Sequence, residues 1–432
     1  MQLTLRIKKR GQNEVMVLLV LVAVFCFGLF LDLLHLPDAF KYLVDIVWIG
    51  LLATIIINHF RMPNTEAMKM LTAVLGFWLI TLVGLILNGV NPLHYLWGFR
   101  NNFRFFVYFF ACCMFLKLET ATEVLDVFDK LFYLNFVVSL VQFFVLGKKM
   151  DYLGGIFGTG VGCNGKTTIF FSIILARSIL RYVNGKETLK ECLLKCGLAL
   201  FVAALAELKF FFVLFVFIVA MAMVITRTSI KKLWIIFAAG IGTYAGIILL
   251  VAIFPEFQKF FSIGRMLETA LSSSGYTGKG DLNRLTAIPI IWSRFLESWP
   301  ERLFGLGLGS CDTSSFSFLN SAFYEKFGYL RYNWFSSAFM FLETGIFGSV
   351  AYLFFFGLIY LYARRREKSG EGMQEACQLA SVLAPACILL IIYNASMRVE
   401  EAYMMYFVLA LPFINKKQNL LKGANGYAKA NS

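Results

Sequence analysis

The chain is short of charge and nearly empty of histidine. Of its 432 residues, 15% are Asp, Glu, Lys or Arg, against 59% hydrophobic and 17% aromatic, with a mean hydropathy of +0.72. A soluble globular chain carries about 25% charged residues. The deficit excludes an ordinary soluble domain and points to a polytopic membrane protein. His35, His59 and His94 are scattered and form no metal cluster. Cys192 and Cys196 have a metal-like spacing but neither a second pair nor a nearby His, so no zinc site is expected. The other cysteines mostly fall inside apolar runs, where a free thiol behaves as a small hydrophobe. Cys163 and Cys311 are the two assigned to outer loops, as a disulfide pair or as isolated buried thiols. The formal charge of +14 has no soluble basic domain to sit on, so nucleic acid is not an expected partner. No internal repeat is visible, which argues weakly against a transporter.

What the chain has in abundance is apolar runs of membrane length. A spanning helix needs about 20 mostly apolar residues, and about twelve such runs are present. They read as 15–34, 42–60, 67–88, 99–116, 128–146, 167–182, 192–206, 210–226, 233–254, 346–363, 376–393 and 402–414. The seventh and eighth require a split at Glu207 and Lys209. Arg6, Lys8, Lys9 and Arg10 precede a first run too long for a signal-peptide core, which reads as an uncleaved span. Basic clusters such as Arg364, Arg365, Arg366 and Lys368 fall on the side that the positive-inside rule assigns to the cytoplasm. Both termini then lie inside. The expected fold is all-α, in four parts. Residues 1–254 carry spans one to nine, 255–345 form one large extracytoplasmic loop, 346–414 carry the last three spans, and 415–432 form a cytoplasmic tail.

The long polar break is the anomaly. It holds Lys259, Arg265, Lys279, Arg284, Arg294, Arg302, Lys326 and Arg331, interleaved with Trp292, Trp299 and many Phe and Tyr. Cations in excess on the outer face suggest an anionic substrate at the membrane surface. Within the break, Leu282, Leu285, Ile288, Ile291, Trp292, Phe295, Leu296 and Trp299 recur at helical spacing, with Asp281 as a fair N-cap. The segment reads as an interfacial amphipathic helix, which Pro289 must kink or restart. Beyond it come a flexible turn at 305–310 and a re-entry into the membrane that carries Glu343.

Three further features stand outside the break. Gly160 to Thr167 satisfies the P-loop pattern, but a P-loop follows a buried strand in a soluble α/β domain; between two apolar spans the match is coincidental. No nucleotide is expected. Glu207 and Lys209 are ionisable residues where two apolar helices meet, and such residues are default functional candidates in membranes. Arg100 and Arg104, at i, i+4 spacing, share a helix face and repel unless an anion lies between; both also suit lipid phosphates.

The order of these pieces resembles a family. A Gly-rich outer loop (Gly158, Thr159) ends in Asn164, and a Glu-x-Lys junction follows (Glu207, Lys209). Then come Arg284 in the long loop, the Gly-x-Gly-x-Gly-Ser turn from Gly305 to Ser310, and the Glu-Thr-Gly-Ile-Phe-Gly re-entry from Glu343 to Gly348. The series is similar to the O-antigen polymerase and ligase superfamily, the Wzy-type polysaccharide polymerases and WaaL-type ligases. That resemblance implies a GT-C-like membrane glycosyltransferase in the bacterial inner membrane. It would act on undecaprenyl-pyrophosphate-linked glycan donors and acceptors, need no metal or cofactor, and work among membrane lipids with a chain-length regulator as partner. It assigns Arg284 to the family's loop arginine and Lys209 to a basic residue of many polymerases. The ligases carry a His before the re-entry, where this chain has Arg331, Tyr332, Asn333 and Trp334, so polymerase is the better reading and ligase the alternative. A lipid-linked glycan transporter is the rival from another class. The residues expected at the site are Arg284, Glu343 and Asp281 for catalysis. Lys209, Arg265, Arg294, Arg331, Arg100, Arg104 and Trp292 are expected to bind substrate.

The orientation is testable without any structure. Ser272→Cys in a Cys-depleted background should react with a membrane-impermeant thiol reagent in intact cells; labelling only after permeabilisation would invert the topology.

Overall fold

The computed structural model describes residues 10–28, 30–31, 34–226, 241–242, 248, 251–252 and 280–414. Arg265, Ser272, most of the expected ninth span and the 415–432 tail lie outside the described residues. The described chain is helical throughout and contains no strand. Its helices are α1 Gln12–Gly28, α2 Leu43–Ile57, α3 Thr65–Asn88, α4 Pro92–Phe115, α5 Leu118–Leu140, α6 Cys163–Val183, α7 Leu189–Leu205 and α8 Lys209–Thr226. The long loop contributes α9 Ala287–Arg294, α10 Trp299–Phe304 and α11 Ala322–Phe327, and α12 Ser336–Ser369, α13 Gln374–Tyr393 and α14 Ala402–Ala410 complete the set. Among the described residues, five helical segments are long and apolar enough to cross a membrane: Phe40–Ile57, Thr65–Asn88, Lys209–Thr226, Ser336–Ser369 and Gln374–Tyr393.

Local chemistry explains most boundaries. Asn64 caps α3 by accepting from the Ala67 amide, and Gly89 ends it in the left-handed conformation (φ 56°). Thr188 and Glu191 form a reciprocal capping box at the start of α7. The α7–α8 split occurs where the charges require it: the helix ends at Leu205, Glu207 turns through φ 53°, and Lys209 begins α8.

Charged side chains collect near helix ends, and at one end of the bundle they form a buried network. Arg177 of α6, almost wholly buried, pairs with Asp126 (2.6 Å) and Asp129 of α5 and with Glu375 (3.3 Å) in the first turn of α13. Lys195 from α7 bridges Asp129 and Glu187, while Arg366 near the end of α12 holds Glu66 at the start of α3 (3.3 Å). Consecutive helices thus meet this layer by opposite ends, as alternating directions require.

At the other end α12 is broken. Gly345 adopts φ 61° and ψ −159°, dividing the helix into 336–344 and 346–369. The carbonyls released by the break are taken by the glycine-rich turn: the Leu306 amide donates to Leu342 (2.9 Å) and the Gly307 amide to Glu343 (3.0 Å). Gly305 lies so close that a Cβ would overlap the Glu343–Thr344 backbone, and Gly309 packs as tightly on Gly98 of α4. The turn expected to be flexible is therefore wedged into the bundle.

The amphipathic helix expected from Leu282 to Trp299 is interrupted. Only α9 and α10 are helical, separated at 295–298 where Ser298 and Glu301 form a new capping box. Pro289 is the third residue of α9, within the first turn, where a missing N–H breaks no intrahelical bond. Asp281 lies well before that start and does not cap it; α9 follows Thr286 with no side-chain cap.

Gly305→Ala should lower stability by about 2 kcal/mol or more, because positive φ and backbone overlap both penalise a Cβ. Gly357→Ala, with open space at its Cβ and a helical setting, should be neutral or stabilising. Thermal unfolding of the two variants in detergent gives the comparison.

Candidate functional site

The segment joining α13 to α14, residues 394–401, is where the motifs meet. Asn394 leaves α13 in extended conformation, and its carbonyl accepts the Ser336 amide at the start of α12 (3.0 Å). Ser396 Oγ donates to the Gly165 carbonyl at the end of the Gly-rich loop (3.1 Å). Three charges follow within four residues, and each is matched from a different element. Arg398 lies over Phe339 (3.3 Å to the ring centroid) and 3.7 Å from Asp312. Glu400 pairs with Arg104 of α4 at 3.0 Å, and Arg104 also donates to the Arg398 carbonyl. Glu401 pairs with Lys166 of α6 at 3.0 Å.

The electrostatics separate the adjacent carboxylates. Burial alone would raise the Glu400 carboxyl, but Arg104, Lys166 and Lys41 outweigh it and hold the group at about 2. Glu401 is pushed up from its ordinary value by burial, against the pull of Lys166.

The start of α8 and Arg284 are brought together here. The Phe210 ring, next to Lys209, stacks on Tyr393 with centroids 4.0 Å apart and planes 9° apart. The Arg284 guanidinium lies over the same Tyr393 ring at 4.0 Å, and its Nε donates to the Tyr393 carbonyl (2.9 Å). Two groups so near one centroid need one face each, so the tyrosine is sandwiched between the α8 start and the long loop. Asn164 ties in the Gly-rich loop by donating to Asp151 (3.0 Å) and to the Ala206 carbonyl beside the Glu207 turn (3.3 Å).

The other expected site residues have surroundings of their own. Glu343 is fully buried: Oε1 accepts the Cys311 amide (3.0 Å), and Oε2 has no hydrogen-bond partner among the described residues. Through that bond it holds the glycine-rich turn. Asp281 is also buried. Arg294 and Arg331 are exposed, Arg331 lying against Trp334 (5.0 Å). Trp292 stacks on Phe341 and is covered by Arg302 at 4.9 Å. Arg100 and Arg104 need no shared anion, since Arg100 has a bidentate partner in Asp45 and Arg104 has Glu400. Cys163 and Cys311 are buried thiols that are not joined in a disulfide, and Cys163 Sγ donates to the Asp151 carbonyl.

Sequence reasoning missed Arg398, Glu400, Glu401 and Asp312, and it set Lys166 aside with the P-loop match. No strand precedes that loop among the described residues, and the lysine serves Glu401 instead. The missed signal was legible: three charges in four residues between two apolar runs are costly unless neighbours neutralise them. Comparison with protein-family models, with curated proteins and with solved structures finds no match to this chain.

The Arg104–Glu400 pair has a pH signature. A carboxyl lowered from 4.5 to about 2 stabilises the fold above about pH 4.5, and that stability is lost as pH falls toward 2. Arg104→Met should remove this contribution, at most about 3 kcal/mol. Between pH 6 and pH 3 the gap in stability between the two proteins should shrink to about half or less; a constant gap would assign the loss to packing.

Proposed function

We propose that the chain is a polytopic membrane glycosyltransferase that polymerises undecaprenyl-pyrophosphate-linked repeat units into surface polysaccharide at the outer leaflet. In this reading about twelve helices in a GT-C-like arrangement cross the bacterial inner membrane, with both termini inside. The observation that carries it is the meeting of the Phe210 ring at the start of α8 and of Arg284 on Tyr393, with the Asn164 loop end and the 394–401 segment alongside. Three of the motifs whose order suggested the family, the Asn164 loop end, the Glu207–Lys209 junction and Arg284, thus lie in one neighbourhood, though far apart in the chain.

The chemistry asks for such a cluster. The terminal hydroxyl of one lipid-linked glycan attacks the anomeric carbon of another; a carbon–oxygen bond forms, and the bond to pyrophosphate breaks with its electron pair leaving on phosphate. Negative charge grows on the leaving group, and pre-placed cations are worth about 3–4 kcal/mol each in such a transition state. Arginine suits the task because its planar fork matches two phosphate oxygens and stays charged in a low dielectric. Arg284 is assigned that role, supported by Lys209. The hydroxyl proton passes to the departing pyrophosphate, whose oxygens gain the negative charge.

Arg284→Ala should accumulate unpolymerised lipid-linked repeat units while the protein still inserts. Arg284→Lys should recover little, since a point charge lacks the fork. Polymer length and single-repeat accumulation at matched expression are the readout. Normal polymer in Arg284→Ala would remove it from the site, and full rescue by lysine would mark a simple headgroup contact.

A further inference from the structure

The Gly-rich loop has a second side. Between the end of α1, the outer face of α5 and the loop runs a groove of about 510 Å³, walled by Phe25, Gly28, Leu131, Leu134, Val138 and Ile156. An apolar cavity of about 150 Å³ holds a six-carbon ring, so this one accepts a substantial length of hydrocarbon. Its walls are built with care. The Gln142 side chain reaches the groove, but its carboxamide is consumed by Gly155, donating to the carbonyl (2.8 Å) and accepting from the amide (2.7 Å). Asn135 Oδ1 takes the next amide, that of Ile156 (2.9 Å). The loop backbone is latched to α5, and the groove keeps an apolar lining. Gly28 permits the closure, because a Cβ there would overlap the Ile156–Gly158 backbone.

The groove opens along a flank where Leu134, Val141 and Leu146 are exposed, the surface that a bilayer would cover in the proposed reading. It follows α5 into a π-helical turn at Val141–Val145, a feature that recurs at functional sites. Past Thr159 the same loop continues to Asn164 and Lys166, which contact Ala206 and Glu401. One short loop thus separates an apolar slot open to lipid from the cation-bearing end of the bundle.

We infer that this groove holds the phosphate-proximal hydrocarbon of the lipid-linked donor, which threads past the Gly-rich loop with its diphosphate toward Lys209 and Arg284. The inference rests on the glycosyltransferase reading and adds the binding site for the lipid chain. A bilayer phospholipid shares the hydrocarbon but has no need of a slot that leads to the charged cluster.

The test uses the full-length protein in phosphatidylethanolamine–phosphatidylglycerol nanodiscs, titrated with undecaprenyl diphosphate and read by native mass spectrometry. Val138→Trp fills the groove from its wall, whereas Val137→Trp places the same bulk on the neighbouring, more exposed position outside it. Val138→Trp should weaken binding at least about tenfold, as overpacking of a fitted cavity does, and Val137→Trp should match the wild type. Leu134→Phe, a smaller intrusion, should weaken binding less and covers the case in which Val138→Trp fails to fold. Equal binding by the wild type and the groove variants overturns the assignment, as does phospholipid retained in the groove at saturating undecaprenyl diphosphate. Lipid-linked repeat units should accumulate in cells lacking the protein. If they do while the groove variants bind normally, the groove falls and the polymerase reading stands; if they do not, the reading itself falls.

Discussion

The break in α12 at Gly345 is the constraint on which one whole end of the bundle depends. A helix interrupted inside an apolar bundle leaves backbone carbonyls that no water can reach, and each unsatisfied group is costly there. The Leu342 and Glu343 carbonyls are satisfied by the amides of Leu306 and Gly307, which requires the backbone of the 305–310 turn to lie against the break. Glycine at 305, 307 and 309, all with positive φ, permits that approach and the equally close contacts with α3 and α4. Glu343 completes the wedge by accepting the Cys311 amide. The first half of α12 is thereby fixed, and with it Phe339, over which Arg398 lies.

From that anchor the charged cluster follows. Ionised groups in a low dielectric are tolerable when paired, and the 394–401 segment spreads its three charges over partners from α4, α6 and the long loop. The opposite end of the bundle solves the same problem with Arg177, which gathers carboxylates from α5 and α13. The two layers differ in what surrounds them. The Arg177 layer ties helix to helix, whereas the Arg104–Lys166–Arg398 layer is bordered by the Gly-rich loop, the α8 start and Arg284, and it adjoins the apolar groove along α5. A charged cluster joined by one loop to a lipid-facing slot matches the outline of an amphipathic substrate.

The sequence by itself determined the all-helical class and, to within a few residues, the extents of several helices. Hydropathy and capping depend on residues within a few positions of one another, so α3, α7, α8 and α13 are legible along the chain, as is the division between α7 and α8 at Glu207. Tertiary structure alone decided which charges meet. Glu400 with Arg104 and Glu401 with Lys166 are separated by hundreds of residues, and no local pattern encodes such a pairing. It also enclosed Glu343 against the glycine-rich turn and divided the expected Leu282–Trp299 helix at 295–298. In each case packing and hydrogen bonding to distant backbone outweighed local preference: a carboxylate's role depends on its enclosure, which only the assembled bundle supplies.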